Sequence, residues 1–121
     1  HHNIYKTWTW TGGHADGEKD LLVTALKEAC EETGVQSIYP YREEIFSLDI
    51  LPVYGHWKNG LYVSAHLHFN AAYLFIADET DPLLINDQEN SAVAWIPWNE
   101  VPDYSNEPFM IDIFNKILQR R

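Results

Sequence analysis

The sequence predicts an α/β protein in which two helices flank a group of strands. Apolar residues recur at helical spacing in 21–30 and again in 109–117, which is typical of helices with one buried face. Between these segments, 45–53 and 62–77 are rich in aromatic and β-branched residues and predict strands. Strands with a helix on either side pack as a helix–sheet–helix sandwich.

The length of the chain fits one domain. Its 121 residues can bury a single sizeable core, and no repeat or linker divides residues 1–121. No apolar run is long enough to cross a bilayer. The one cysteine, Cys30, cannot form an internal disulfide, which favours a reducing compartment, so we expect the cytoplasm.

The chain is strongly acidic, with 8 Lys and Arg against 18 Asp and Glu and a formal net charge of -10. Such a surface repels nucleic-acid backbones and anionic membranes, so we expect neither as a partner. A phosphate-bearing substrate would also be repelled unless a divalent cation, held by clustered carboxylates, compensated its charge. The composition therefore directs attention to groups of acidic side chains.

The first predicted strand leads into a glycine loop. Thr-Trp-Thr-Trp-Thr at 7–11 alternates strictly, which predicts a strand with both tryptophans on one face. Gly12 and Gly13 then end the strand and open a loop. Two further short strands are predicted at 83–85 and 93–96.

The helix after this loop is the best-defined element of the sequence. Asp20 is a typical N-cap residue, and Gly34 is typical of a left-handed C-terminal cap. The residues predicted to form its buried stripe are Leu21, Leu22, Ala25, Leu26, Ala29 and Cys30.

Three glutamates share one face of this helix. Glu28, Glu31 and Glu32 stand at positions i, i+3 and i+4, where like charges cost roughly 0.2–0.5 kcal/mol per pair without a counter-ion. A hard cation such as Mg²⁺ prefers oxygen ligands and would reverse that sign. The three residues taken alone fit a solvated acidic face better than a metal site.

The residues around the glutamates change this balance. The stretches Gly-Gly-His-Ala-Asp-Gly-Glu-Lys-Asp at 12–20 and Lys-Glu-Ala-Cys-Glu-Glu-Thr-Gly-Val at 27–35 together resemble the Nudix box. The positions that match the box are Gly13, Glu28, Glu31, Glu32, Gly34 and Val35. The chain is similar to one bacterial Nudix branch also at 46–50, at 66–68 and at 95–97.

The resemblance implies a fold and an activity. It implies an α/β Nudix-type helix–sheet–helix sandwich with a mixed β-sheet. Because the chain begins at His1, almost at the box, we expect that sheet to lack the family's usual N-terminal strands. The implied activity is metal-dependent hydrolysis of the diphosphate linkage in a nucleoside diphosphate joined to another moiety. Mg²⁺ is the expected cofactor, with Mn²⁺ as a substitute, and a homodimer is compatible with the family.

The resemblance also implies roles for individual residues. The metal ligands would be Glu28, Glu32, the carbonyl of Gly12 and then Glu31, and the three glutamates would be catalytic. Glu89 is the candidate for a further carboxylate, supplied by a loop outside the helix as ligand or base. A plain surface glutamate explains Glu89 equally well.

Two positions depart from the box. Lys19 stands where the family has Glu, and Lys27 stands where it has Arg. Lysine keeps the positive charge but lacks the planar fork of arginine, so Lys27 would orient Glu28 less rigidly. Both departures leave open weaker activity, a changed metal preference, or a module that binds a nucleotide without hydrolysing it.

Three histidines are candidates for substrate contacts. His66 and His68 alternate on one strand, so both rings face the same side. Lining a substrate cleft is favoured over binding zinc, for which no third ligand is evident, and simple partial burial remains comparable with cleft lining. His14, beside the glycine pair, is expected to lie closer to the metal and is the better candidate.

Overall fold

The computed structural model describes residues 1–121, with two long helices and six strands. The elements are α1 (Leu21–Thr33), β1 (Ile38–Pro40), β2 (Ser47–Val53), β3 (His56–Lys58), β4 (Leu61–Val63), β5 (His66–Ala72), β6 (Phe75–Ala77), a 3₁₀ turn (Trp98–Glu100), α2 (Val101–Tyr104) and α3 (Pro108–Arg120). This composition confirms the α/β class. None of the helices is long and apolar enough to span a membrane.

The strands form three two-stranded antiparallel sheets, β1–β6, β2–β5 and β3–β4. The longest pairing runs from Ser47 opposite Ala72 to Val53 opposite His66. The predicted mixed sheet is therefore wrong, because no strands pair in parallel. Parallel pairing needs a long crossover connection, whereas β3 and β4 are joined by Asn59 and Gly60, whose φ values of 52° and 78° close a tight hairpin.

The predicted strands have mixed outcomes. The strand at 45–53 is confirmed as β2, while the segment 62–77 is divided among β4, β5 and β6. The strands predicted at 7–11, 83–85 and 93–96 are wrong, since these segments pair with no neighbouring strand. Alternation in sequence reports which way side chains point, but a strand also needs a partner for its backbone hydrogen bonds.

Helix α1 begins and ends where the sequence predicts. The Asp20 side chain accepts hydrogen bonds from the backbone N–H groups of Leu22 and Val23. Gly34 has φ 76°, and its N–H donates to the carbonyl of Cys30 at 2.9 Å. The buried stripe is smaller than predicted, because Ala29 is the only buried residue of α1 and Leu21 remains exposed.

The hydrophobic core lies against α3 instead. Its buried residues are Phe46, Ala72, Met110, Ile113 and Ile117. Trp10 packs against this cluster, edge-on to Phe114 with ring centroids 5.6 Å apart. Polar contacts add to the docking of α3: Lys116 forms an ion pair with Asp49 of β2, and the Arg120 guanidinium donates to the Phe46 carbonyl at 2.7 Å.

The two faces of the β2–β5 pair differ in polarity. His66, His68 and Asn70 alternate with Leu67 and Phe69 along β5, so the two sets point to opposite sides. The apolar side is open to solvent, and the Phe69 side chain is 88% exposed. The polar side faces the glycine loop, where His68 contacts His14.

Candidate active site at the glycine loop

The glycine loop contacts the carboxylates of α1 directly. The backbone N–H of Gly12 donates to Oε1 of Glu32 at 2.9 Å. At Gly13, a Cβ atom would stand 2.5 Å from Cδ of Glu28, which is closer than real Cβ atoms come. A side chain at position 13 would therefore displace the end of the Glu28 side chain from the loop.

The helical spacing of Glu28 and Glu32 brings both side chains to the glycine loop. The two residues are one turn apart, and Thr24 and Ala25 precede them on the same side of the helix. Thr24 and Ala25 line a cleft together with Gly12 and Gly13. The face of α1 that borders the cleft therefore continues into the two carboxylates.

Glu28 and Glu32 lie where a negative charge is disfavoured. Burial, together with the charges of Glu28, Glu89 and Glu31, raises the pKa of Glu32 to about 7 despite the opposing hydrogen bond from Gly12. Burial also raises the pKa of Glu28, with Glu31 and Glu89 adding to the effect and Lys27 opposing it. Groups whose charged forms are disfavoured in this way accept a divalent cation readily.

Glu89 lies close enough to act on both helical glutamates, since its charge contributes to raising the pKa of each. Its loop is tied to α1 by the next residue. The buried Asn90 side chain donates through Nδ2 to the Glu32 carbonyl oxygen at 3.0 Å. The Glu89 carbonyl also accepts from the N–H of Asn3 at 3.1 Å. The structure thus brings Glu89 to the cluster.

Asn90 is a positioning residue that the sequence does not reveal. Its partner, Glu32, is 58 positions away in the chain, and a single asparagine in a polar loop carries no local pattern. A buried asparagine that anchors a loop can be recognised only once the two segments have been brought together.

The Glu31 side chain contacts Lys27 and not the glycine loop. Its Oε1 lies 3.9 Å from Nζ of Lys27, and its side chain is 52% exposed. Glu31 does not make the contacts that Glu28 and Glu32 make with the glycine loop. Its influence on the other glutamates is electrostatic, so the structure separates it from the two residues at the loop.

The donor chemistry of the site fits a hard divalent cation, but the ligands are not preassembled. Glu28, Glu32 and Glu89 supply carboxylate oxygens, which Mg²⁺ and Mn²⁺ prefer. No three His, Cys, Asp or Glu side chains converge at metal-binding distances. Because the glutamates are only half-buried or exposed, their side chains have room to change rotamer.

The cleft beside the glutamates has a volume of about 400 Å³ and is formed by the glycine loop, α1 and β5. His14 and His68 line it, with ring centroids 5.1 Å apart. His66 stands next to His68, with their Nε2 atoms 3.0 Å apart. Burial, and then the neighbouring His14 and His66, lowers the pKa of His68. The three predicted histidines therefore form one group at the cleft.

A wider cleft of about 520 Å³ lies along β1 and β6, from Gln36 to Tyr39 and from Ile76 to Asp78. Its lining includes one carboxylate, that of Asp78. The smaller cleft is the stronger of these two candidates, because it is lined by the glycine loop that contacts Glu28 and Glu32.

The fold and this site define a class of protein: an α/β domain in which one helix presents carboxylates to a glycine loop beside a cleft. A family model of the NUDIX domain matches residues 1–117. The chain belongs to the Nudix family. Membership indicates a hydrolase of the Nudix kind that acts on small nucleotide-type molecules, and such hydrolases typically use divalent metals. A comparison with curated proteins found no match.

Proposed function

We propose that this protein is a Mg²⁺-dependent pyrophosphohydrolase. It cleaves the diphosphate linkage of a nucleoside diphosphate joined to another moiety, as in a nucleoside triphosphate or ADP-ribose, and Mn²⁺ can substitute for Mg²⁺. One observation carries the proposal: the glycine loop contacts Glu28 and Glu32 at the edge of a cleft. That arrangement supports a divalent-cation site beside a cleft of about 400 Å³ that can take a nucleotide.

We assign the ligand roles to the residues at the loop. Glu28 and Glu32 are the principal ligands, the Gly12 carbonyl is a further one, and Glu31 contributes from the exposed side of α1. A divalent cation bound here supplies charge compensation for the diphosphate and a lowered pKa for the attacking water. The Gly12 N–H holds the Glu32 carboxylate in place through its hydrogen bond.

Glu89 is the proposed proton acceptor. Its loop is anchored to α1 through Asn90, so its carboxylate can be held near the helical glutamates without belonging to the same rigid helix. A carboxylate in that position can take a proton from water as the water attacks phosphorus. Hydrolysis then releases two phosphate-bearing products without a covalent intermediate.

His14, His66 and His68 are the proposed substrate contacts. Their rings form a group at the cleft, and imidazole N–H groups can donate to phosphate or ribose oxygens. The net charge of -10 favours a small substrate over nucleic acid or a membrane surface. A cytoplasmic location, a homodimer, and a sandwich in which α1 and α3 flank the strands complete the proposal.

One observation favours a second function, nucleotide binding without hydrolysis. Lys27 stands at 3.9 Å from Glu31 and forms no ion pair with Glu28. The basic residue at this position thus leaves the principal carboxylate unoriented, which would weaken catalysis more than it weakens binding.

Release of nucleotide or phosphate from a panel of nucleoside triphosphates, ADP-ribose, dinucleotides and sugar nucleotides tests the proposal, with Mg²⁺ and then with EDTA. Wild type is compared with Glu32→Gln and with Glu79→Gln, an exposed carboxylate outside the site. Mg²⁺-dependent turnover lost only in Glu32→Gln is the expected result. Binding of a nucleotide without turnover would replace the hydrolase with the binding module.

A further inference from the structure

His66 and His68 are arranged as a chelating pair. Both side chains leave the same face of β5, and their Nε2 atoms lie 3.0 Å apart. At this distance the two nitrogens share either one proton or one cation, because two lone pairs that face each other repel. The pair lies at the cleft, beside the ring of His14.

The backbone selects the tautomer of His66 that can act as a ligand. Its Nδ1 lies 2.7 Å from the Ser64 carbonyl oxygen. A carbonyl oxygen only accepts, so Nδ1 must carry the hydrogen, and Nε2 of the neutral ring has a free lone pair. Histidine ligands in metal sites are commonly oriented by such a hydrogen bond from the other ring nitrogen.

The spacing of the two nitrogens agrees with one shared ion. Two imidazole nitrogens that bind the same ion at ~2.0–2.1 Å are about 2.8–3.0 Å apart at a right angle and about 3.3–3.4 Å apart at the tetrahedral angle. The observed 3.0 Å corresponds to the right angle. Right angles occur in the square-planar and octahedral sites of Ni²⁺ and Cu²⁺.

We propose that His66 and His68 chelate a borderline transition-metal ion such as Ni²⁺, at a site separate from the carboxylates of α1. Nitrogen ligands favour such ions over Mg²⁺, which prefers oxygen. No third His, Cys, Asp or Glu converges on the pair, so water or an oxygen of a bound molecule completes the coordination. The inference goes beyond the proposed hydrolase, since binding at this site requires no turnover.

A control for local geometry exists in the same chain. His56 also directs Nδ1 to the carbonyl oxygen of the residue two positions earlier, Tyr54, at 2.8 Å. It has no second imidazole within hydrogen-bonding distance. His56 therefore has the oriented ring of His66 without the chelate.

Ni²⁺ titration of the full chain by calorimetry, in excess Mg²⁺ to saturate the carboxylates, tests the proposal. The variants are His66→Gln, His68→Gln, the double variant and His56→Gln, each checked for folding by circular dichroism. His1 and His2 are retained throughout, so binding there contributes equally to wild type and to the variants of His66 and His68.

If the two histidines form a chelate, either single substitution should weaken Ni²⁺ binding by at least roughly tenfold. Removal of a residue that only hydrogen-bonds a metal ligand already weakens binding by about that much, so loss of a ligand should weaken it no less. The double variant should bind Ni²⁺ no more weakly than the single variants, and the Ni²⁺ affinity of His56→Gln should match that of wild type. Equal binding by all the variants would overturn the proposal. Small losses of Ni²⁺ affinity that add in the double variant would also overturn the proposal, because they would indicate two histidines that bind the ion independently.

Discussion

Helices α1 and α3 have the same length, 13 residues each, and opposite roles. Helix α3 buries Met110, Ile113 and Ile117 in the core, whereas α1 buries only Ala29. Helix α3 is thus held by apolar packing, and α1 is held mainly by its caps and by the glycine loop. The helix that carries the candidate site is the one that contributes least to the core.

The charges of the two helices differ in the same way. On α3, Lys116 is paired with Asp49 and Arg120 donates to a carbonyl. On α1, burial and then the charges of neighbouring glutamates raise the pKa of Glu28 and of Glu32, so the charged forms of both are disfavoured. Unfavourable electrostatics are commonly concentrated at functional sites, and the difference makes α1 the stronger candidate for the helix that carries the site.

The largest expected effect is on catalysis at α1. Glu32→Gln should lower kcat by roughly 10²–10³, the range found when one preorganised electrostatic group is removed from an active site. Helix α1 should remain folded, since the amide keeps the shape of the side chain. Steady-state kinetics with Mg²⁺ measure the change, and a kcat within a few-fold of wild type would remove Glu32 from the ligand set.

The next effect is on stability at α3. Met110→Ala should lower the free energy of unfolding by about 3 kcal/mol, because truncation of a buried methionine loses apolar burial and leaves a cavity. The matched change Leu26→Ala on α1 should cost clearly less, because Leu26 is only half-buried. Urea denaturation measures both. Equal losses would show that α1 contributes to the core as much as α3.

The pH dependence of stability should reveal Glu32. Its pKa rises from 4.5 to about 7 on folding, so the folded state binds the proton more tightly. The metal-free protein should therefore lose stability as pH rises from about 4.5 through about 7, by on the order of 2 kcal/mol after solvent screening. Thermal unfolding in EDTA measures the slope. Glu32→Gln should flatten it, and an unchanged slope would assign it to another group.

A smaller effect on catalysis is expected from the loop. Gly13→Ala should lower kcat about tenfold, or ~1.4 kcal/mol, because its methyl group would displace the Glu28 carboxylate. Gly12→Ala is the matched control, since a Cβ there meets nothing within 4 Å. Kinetics of the two variants measure the difference. If both lose activity equally, loop flexibility rather than contact with Glu28 is responsible.

The smallest effect concerns the ion pair of α3. Burial raises the pKa of Asp49, but hydrogen bonds from Lys116 and Ser47 outweigh it and lower the pKa overall. A depressed pKa stabilises the fold above the unfolded value of 3.8 and loses that effect as pH falls through the folded value. Asp49→Asn should cost on the order of 1 kcal/mol at neutral pH. The cost should shrink in acid, as denaturation at pH 7 and pH 3 would show.

Local signals in the sequence were sufficient for much of the fold. The caps Asp20 and Gly34, the helical periods of α1 and α3, and strand β2 all appear where predicted. Each depends on contacts between residues a few positions apart, which the order of residues specifies directly. The Nudix box likewise indicated the family, which the family model confirms over residues 1–117.

The sequence by itself thus determined the helices, their ends, the family and a set of candidate ligands. Only the tertiary structure decided which segments found strand partners, which helix formed the core, and that Glu28 and Glu32 meet the glycine loop. It alone revealed Asn90 as the anchor of the Glu89 loop. The physical reason is range: caps and helical periods act within one or two turns, whereas pairing, burial and loop anchoring join residues far apart in the chain.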